Sequence, residues 1–139
     1  MKVFLGGTCN GSLWREDLIP LLQIDYFNPV VEDWTPECQA QEIAERESAD
    51  FVLYTITPAM TGVDSIAEVV DDSNKRPSKT VFCVLAEDAR AVEPFSAAQK
   101  KSLDAVARMV VKNGGYATTS LLDVARFLHE HAGITPKDR

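Results

Sequence analysis

Cysteine is scarce in this chain: Cys9, Cys38 and Cys83 stand far apart, with no CxxC pair and an odd count. That pattern excludes a disulfide framework and a zinc ribbon, and points to reduced thiols in a cytoplasmic setting. No apolar run approaches the roughly 18 residues of a membrane span. The opening Met-Lys-Val-Phe-Leu reaches Gly6-Gly7 too soon to serve as the apolar region of a signal peptide. Blocks of like charge are missing too. The 21 acids and 14 Lys plus Arg give a net charge of -7 spread along the sequence, so no basic face is available for nucleic acid. Neither GxSxG, nor the dinucleotide GxGxxG, nor a P-loop occurs, and Ser48, Ser65 and Ser102 have no histidine placed to activate them. His129 and His131, two apart near the end of the last helix, do not share a face and read as surface residues. No metal and no other cofactor is expected.

What remains is an ordinary globular composition, 45% hydrophobic and 25% charged over 139 residues. The length suits one domain, residues 1–139, with a core that needs no covalent staple. Short apolar runs alternate with longer amphipathic ones, the signature of βαβ units. Strands are predicted at Val3 to Leu5, Ile24 to Phe27, Phe51 to Ile56, Lys79 to Leu85 and Tyr116-Ala117. Phe51 to Ile56 is apolar and β-branched throughout, as a central strand covered on both faces requires. Helices are predicted from Ser12 to Pro20 or Leu21, from the Thr35-Pro36-Glu37 start to about Ala49, from Val63 to Asp72, from a Ser96 cap to about Lys112, and, after the strand at Tyr116-Ala117, a last one ending before Gly133. This order predicts a doubly wound, flavodoxin-like three-layer α/β sandwich with a five-stranded parallel sheet, whose ligands bind at the carboxyl ends of the strands. The loops at Gly6 to Gly11, Asn28 to Trp34, Thr57 to Asp64 and Ala86 to Phe95 lie there.

Those loops hold the unusual residues. Gly6-Gly7-Thr8-Cys9-Asn10-Gly11 sits between a strand and a helix, where backbone N–H groups can meet an anion or a sugar. A tight turn needing positive φ accounts for one or two of the glycines equally well. Trp14-Arg15 follows: an exposed guanidinium there clamps a phosphate or carboxylate and the indole walls a base pocket, or else the pair is a packed Trp and a solvated Arg. Cys9 is either a thiolate favoured by the turn or a small buried cysteine. Asp64 and Glu68 stand four apart on one helical face with Ser65 between them, and Asp72 extends the row. Two carboxylates so placed repel, and partial burial makes one hold its proton more tightly, a state suited to nucleophilic or acid-base chemistry. A solvated acidic face is the plainer account of the same row.

Taken in order, the strand ending Val3-Phe4-Leu5-Gly6-Gly7, the second ending Phe27-Asn28-Pro29, Ser48-Ala49-Asp50 leading into Phe51-Val52-Leu53-Tyr54, and Gly62 to Glu68 resemble the nucleoside 2-deoxyribosyltransferase-like family, including its deoxynucleoside monophosphate N-glycosidase relatives. The resemblance spans roughly Lys2 to Leu85 and implies cleavage or transfer at the N-glycosidic bond of a (deoxy)nucleoside or its 5′-monophosphate. It assigns Glu68 the attack on the anomeric carbon through a covalent glycosyl-glutamate, as in a retaining glycosidase. It assigns Glu42, eight residues before Asp50, the role of assisting the leaving base, where the family usually has aspartate. Gly6, Gly7, Trp14, Arg15, Asp64 and Ser65 are the substrate-binding candidates. The resemblance further implies a small-molecule nucleoside or nucleotide ligand, no membrane partner, and a homodimer or higher homo-oligomer in which a neighbouring chain closes the pocket near Ala86 to Phe95. Two positions depart from the family: Phe4 stands where a tyrosine orients the nucleophile, and Gly62 stands six before Glu68 where an acid or serine is usual. These departures support the alternative, a catalytically silent nucleotide-binding or sensing module on the same fold.

Overall fold

The computed structural model describes residues 1–135. Five strands, β1 (Lys2–Gly7), β2 (Asp25–Phe27), β3 (Phe51–Ile56), β4 (Thr80–Val84) and β5 (Tyr116–Thr118), form one sheet in the order β2-β1-β3-β4-β5. Every neighbouring pair is parallel. Five α-helices cover its faces: α1 (Trp14–Leu18), α2 (Pro36–Ser48), α3 (Asp64–Lys75), α4 (Ala97–Lys112) and α5 (Leu121–His131). This is the flavodoxin-like three-layer arrangement that the alternation of elements predicts.

Period-2 alternation divides the core. Val3 and Leu5 of β1, Phe51 and Leu53 of β3, and Val81 and Cys83 of β4 pack on one face against Trp14 and Leu18 of α1 and Val124 and Leu128 of α5. Phe4, Val52, Tyr54, Ile56 and Phe82 pack on the other, against Val69 of α3 and Leu103 and Val110 of α4. All six residues of β3 are buried, as its unbroken apolar run requires, whereas edge strand β2 leaves Asp25 and Tyr26 exposed. Burial of the Cys83 thiol in this core, with Asp123 nearby, pushes its pKa up to about 12.

Helix starts follow their caps. The Thr35 hydroxyl accepts from Cys38 N at 3.1 Å with Pro36 at the first helical position, and Ser96 with Gln99 forms a reciprocal capping box on α4. Ser12 does not cap α1. Its hydroxyl donates to the Asp88 carboxylate, and the helix begins without a side-chain cap at Trp14. That helix is also shorter than its spacing predicts, because Pro20 lacks an N–H and the chain continues through a 3-10 turn, Ile19–Leu21. A similar turn, Pro77–Lys79, delays β4 to Thr80, while α3 runs three residues past Asp72.

Strand order reverses between β1 and β3. Their carboxyl ends are joined by backbone hydrogen bonding as far as Thr8 N to Thr55 O, 2.9 Å. Gly7 makes that approach possible: it has φ of 118°, and a Cβ there would lie 2.1 Å from the Thr55 carbonyl oxygen. Gly7→Ala is expected to lower the unfolding free energy by about 2–4 kcal/mol, combining left-handed strain with a backbone clash. Urea denaturation read by circular dichroism measures it, and an unchanged midpoint would contradict the constraint.

Candidate active site

A cleft of about 470 Å³ opens at this reversal, the place where open α/β sheets bind ligands. Its floor is Phe4, Gly6 and Ile56 from β1 and β3. The β1–α1 turn from Gly7 to Asn10, with Arg15 behind it, forms one wall, and Gly62, Asp64, Ser65 and Glu68 at the start of α3 form another. Pro29, Val30, Val31 and Trp34 from the β2–α2 loop, together with Glu42 of α2, complete the enclosure. Residues far apart in sequence thus meet because β1, β3 and the two loops leaving them point their carboxyl ends to one side.

Seven of the eight singled-out residues, Gly6, Gly7, Arg15, Glu42, Asp64, Ser65 and Glu68, line this cleft. Trp14 does not. Its indole is buried among Leu5, Leu18 and Leu128, and Nε1 donates to Thr8 O at 2.8 Å, so the reading of Trp14 as a pocket wall is overturned by the direction in which α1 packs. Arg15 is not an exposed clamp either. Only 3% exposed, it donates from Nε to Leu5 O (3.0 Å), from Nη1 to Thr8 O (2.8 Å) and from Nη2 to Gly7 O (3.3 Å), while its guanidinium lies 4.4 Å over the Trp14 ring. The guanidinium braces the glycine turn from behind. Cys9 is exposed, and Gly6 has a packing reason to be glycine: a Cβ would lie 2.8 Å from the Tyr54 ring.

Two carboxyl groups of the cleft hold their protons more tightly than free glutamate. Burial raises Glu68 first, helped by Asp64, Glu42 and Asp72 and opposed by Arg46. Burial also raises Glu42, with Asp64 adding and Arg46 and Arg15 opposing. Asp72, expected in a solvated row, is instead fully buried. Its carboxylate accepts from Arg46 Nε at 3.0 Å and Nη2 at 3.1 Å and from Tyr54 Oη at 2.6 Å, and Arg76 Nε forms an ion pair with it at 3.1 Å. Burial and that neighbouring carboxylate drive the Tyr54 phenol well above its ordinary range. From the same guanidinium, Arg46 Nη1 lies 3.4 Å from Glu68 Oε2.

Several contributors escaped sequence reading. Asn10 adopts φ of 54° and its amide donates to Ala59 O and Thr61 Oγ1, both at 2.9 Å, tying the turn after β1 to the loop after β3. Asparagine inside a glycine-rich turn was the available signal. Trp34 is 58% exposed at the cleft, an aromatic in a polar loop that no periodicity marks. The Ala86 to Phe95 segment does not enclose the cleft. Asp88 there accepts from Ser12 Oγ, Thr57 Oγ1 and Arg90 N, so it fastens the outer ends of both strand loops.

Carbon-13 titration of the glutamate carboxyls is expected to place Glu42 and Glu68 above the usual range, and Asp64→Asn to bring both midpoints down, since the Asp64 charge raises each. Midpoints indifferent to that substitution would contradict the electrostatic coupling of the three acids.

Among the described residues no helix is long and apolar enough to cross a membrane, and no group of three or more His, Cys, Asp or Glu side chains is gathered to hold a metal. No curated protein and no solved structure matches the chain. The family described as nucleoside 2-deoxyribosyltransferase like does match, over residues 1–88, a span that holds every lining residue of the cleft from β1 to Glu68. With more than half its length in that match, the chain belongs to the nucleoside 2-deoxyribosyltransferase-like family.

Proposed function

We propose that this protein cleaves or transfers at the N-glycosidic bond of a nucleoside through a covalent glycosyl-Glu68 intermediate. The observation that carries the reading is that Glu42 and Glu68, from different helices, line one cleft at the strand reversal and both have raised pKa values. Family membership supports the coarser statement, glycosyl transfer on nucleosides.

In the first step a Glu68 carboxylate oxygen bonds to C1′ as the C1′–N bond breaks, and the departing base nitrogen takes a proton from the Glu42 carboxyl. In the second, water or an acceptor base attacks C1′, the ester bond to Glu68 breaks, and the proton of the attacking group passes to Glu42. Glu68 ionised and Glu42 protonated is the productive pairing. Its population gives a bell-shaped pH profile whose limbs belong to the coupled pair.

Charge selects the substrate. Glu42, Asp64 and Glu68 surround the cavity, and the one cation among its described lining residues, Arg15, already serves three carbonyl groups. A neutral nucleoside is therefore favoured over its dianionic 5′-monophosphate. Trp34, with Val30 and Val31, offers the apolar surface against which a base ring can lie. We further propose that the enzyme works in the cytoplasm as a homodimer or higher homo-oligomer.

A second reading rests on Phe4. Its ring lies on the cleft floor beside Phe27 and Tyr54 and carries no hydroxyl to hold Glu68, which suits a binding module without turnover.

Chromatography of base release and base exchange across nucleosides and their 5′-monophosphates separates the two. Wild type is expected to release base with higher kcat/KM on nucleosides, and Glu68→Ala to lose about a thousandfold or more while remaining folded. Exchange exceeding hydrolysis when a base is added identifies a transferase. No release across the panel would overturn the enzymatic reading in favour of the binding module.

A further inference from the structure

Glu68 is met from behind by a cation that exchanges no proton and forms no bond in either step of the reaction. Arg46, one helix away on α2, directs Nε and Nη2 onto the two oxygens of Asp72 in a planar fork. Asp72 cannot turn, because it is fully buried and is held in addition by Tyr54 Oη and Arg76 Nε. With its plane fixed, the guanidinium has Nη1 left over, and that nitrogen lies 3.4 Å from Glu68 Oε2. Nη2 also reaches the Glu68 backbone carbonyl at 3.5 Å and Asp71 Oδ2 at 3.5 Å. Arg46 thus faces Asp72, Asp71 and Glu68, while Arg76 divides its contacts between Asp72 and Glu47, 3.1 Å from each.

We propose that Arg46 is the positioning residue of Glu68: Asp72 orients its guanidinium, and its remaining Nη1 keeps the Glu68 carboxylate ionised, anchored through Oε2, with Oε1 left to form the bond to C1′. The inference rests on the glycosyl-Glu68 reading. It answers the departure at Phe4, since the orienting contact comes from α2 rather than from a hydroxyl on β1. Once the glycosyl ester forms on Oε1, Oε2 becomes its carbonyl oxygen. The Arg46 cation beside it withdraws electron density, and Glu68 then leaves more readily as a carboxylate when water or a base attacks C1′.

The charged and titratable groups acting on Glu68 are Arg46 and Glu42 from α2 and Asp64 and Asp72 from α3. Among these four only Arg46 favours the carboxylate, so its removal has a predicted sign.

The test substitutes Arg46→Gln and Arg46→Lys and reads three quantities: the carbon-13 titration of Glu68, the pH profile of kcat, and KM for the best nucleoside. In Arg46→Gln the Glu68 midpoint is expected to rise and the acid limb of kcat to move up with it. At neutral pH kcat should fall about 10- to 100-fold, with KM within about twofold. Arg46→Lys, which restores the charge without the fork, is expected to bring the midpoint back towards wild type while recovering kcat only in part. A folded Arg46→Gln protein with the Glu68 midpoint and acid limb unmoved would overturn the proposal. Should that variant fail to fold by circular dichroism, Arg46→Lys decides, and wild-type kcat in it overturns the proposal. Absence of base release in wild type is a separate failure, of the glycosyl reading, because the Glu68 titration does not depend on turnover.

Discussion

Three hydrogen bonds and a second ion pair converge on a carboxylate that has no contact with solvent. Asp72 is reached by two nitrogens of Arg46, one of Arg76 and the hydroxyl of Tyr54. A buried carboxylate with fewer partners costs several kcal/mol in lost hydration, so the cluster must form as a whole or not at all. Its members come from α2, β3, α3 and the turn after α3, and assembling them sets α2 against α3. That matters because α2 buries no residue of its own along Pro36–Ser48, and has little apolar surface to place it. Glu42 and Arg46 are one helical turn apart on α2, so the cluster that fixes Arg46 also fixes Glu42 over the cleft.

The cleft depends equally on how closely β1 and β3 can approach. Both strands end at the reversal of chain order, and both then send loops outward on the same side. Gly6 admits the Tyr54 ring and Gly7 admits the Thr55 carbonyl, so the two glycines act on packing and backbone geometry before any ligand is considered. Arg15 braces the turn that follows, and Asn10 and Asp88 tie it to the loop after β3 from inner and outer sides. The site is therefore rigid where it is polar. Its apolar side is the β2–α2 loop, where Val30, Val31 and Trp34 remain 45–58% exposed.

The fold was legible because each strand carries its own burial pattern, all-apolar for β3 and short and half-polar for β2, and because Thr35-Pro36 and Ser96 mark helix starts in sequence. The pairing of Glu42 with Glu68 was legible only through the family resemblance, since no periodicity connects residues on different helices. What the sequence could not convey is rotation. Trp14 and Arg15 open α1, and whether they face the cleft or the core depends on the angle at which that short helix meets β1 and α5, a consequence of packing and not of spacing. Arg46 and Asp72 were hidden in the same way. Each sits in a charged segment that reads as solvated surface, and only the meeting of α2 with α3 turns those two charges inward.

Acids of opposite titration behaviour flank the site, and the contrast separates the residues that stabilise the fold from those that burden it. Asp88 loses some hydration, but the hydroxyls of Ser12 and Thr57 and the N–H of Arg90 outweigh that and hold its pKa below the ordinary value. Its folded state binds the proton less well than the unfolded chain does, so its contribution is present above the unfolded pKa and fades as pH falls through the folded one. Glu42 and Glu68 have the opposite sign, because burial leads both shifts upward. Their contribution to folding is present below the ordinary glutamate pKa and is lost as pH rises through the raised values. Each cleft glutamate thus carries its charge against its surroundings once ionised, with Arg46 opposing the shift in both. That arrangement at the carboxyl end of β1 and β3 adds nothing to the stability of the sheet at high pH, and it is the one that the proposed pairing of a nucleophile with an acid uses.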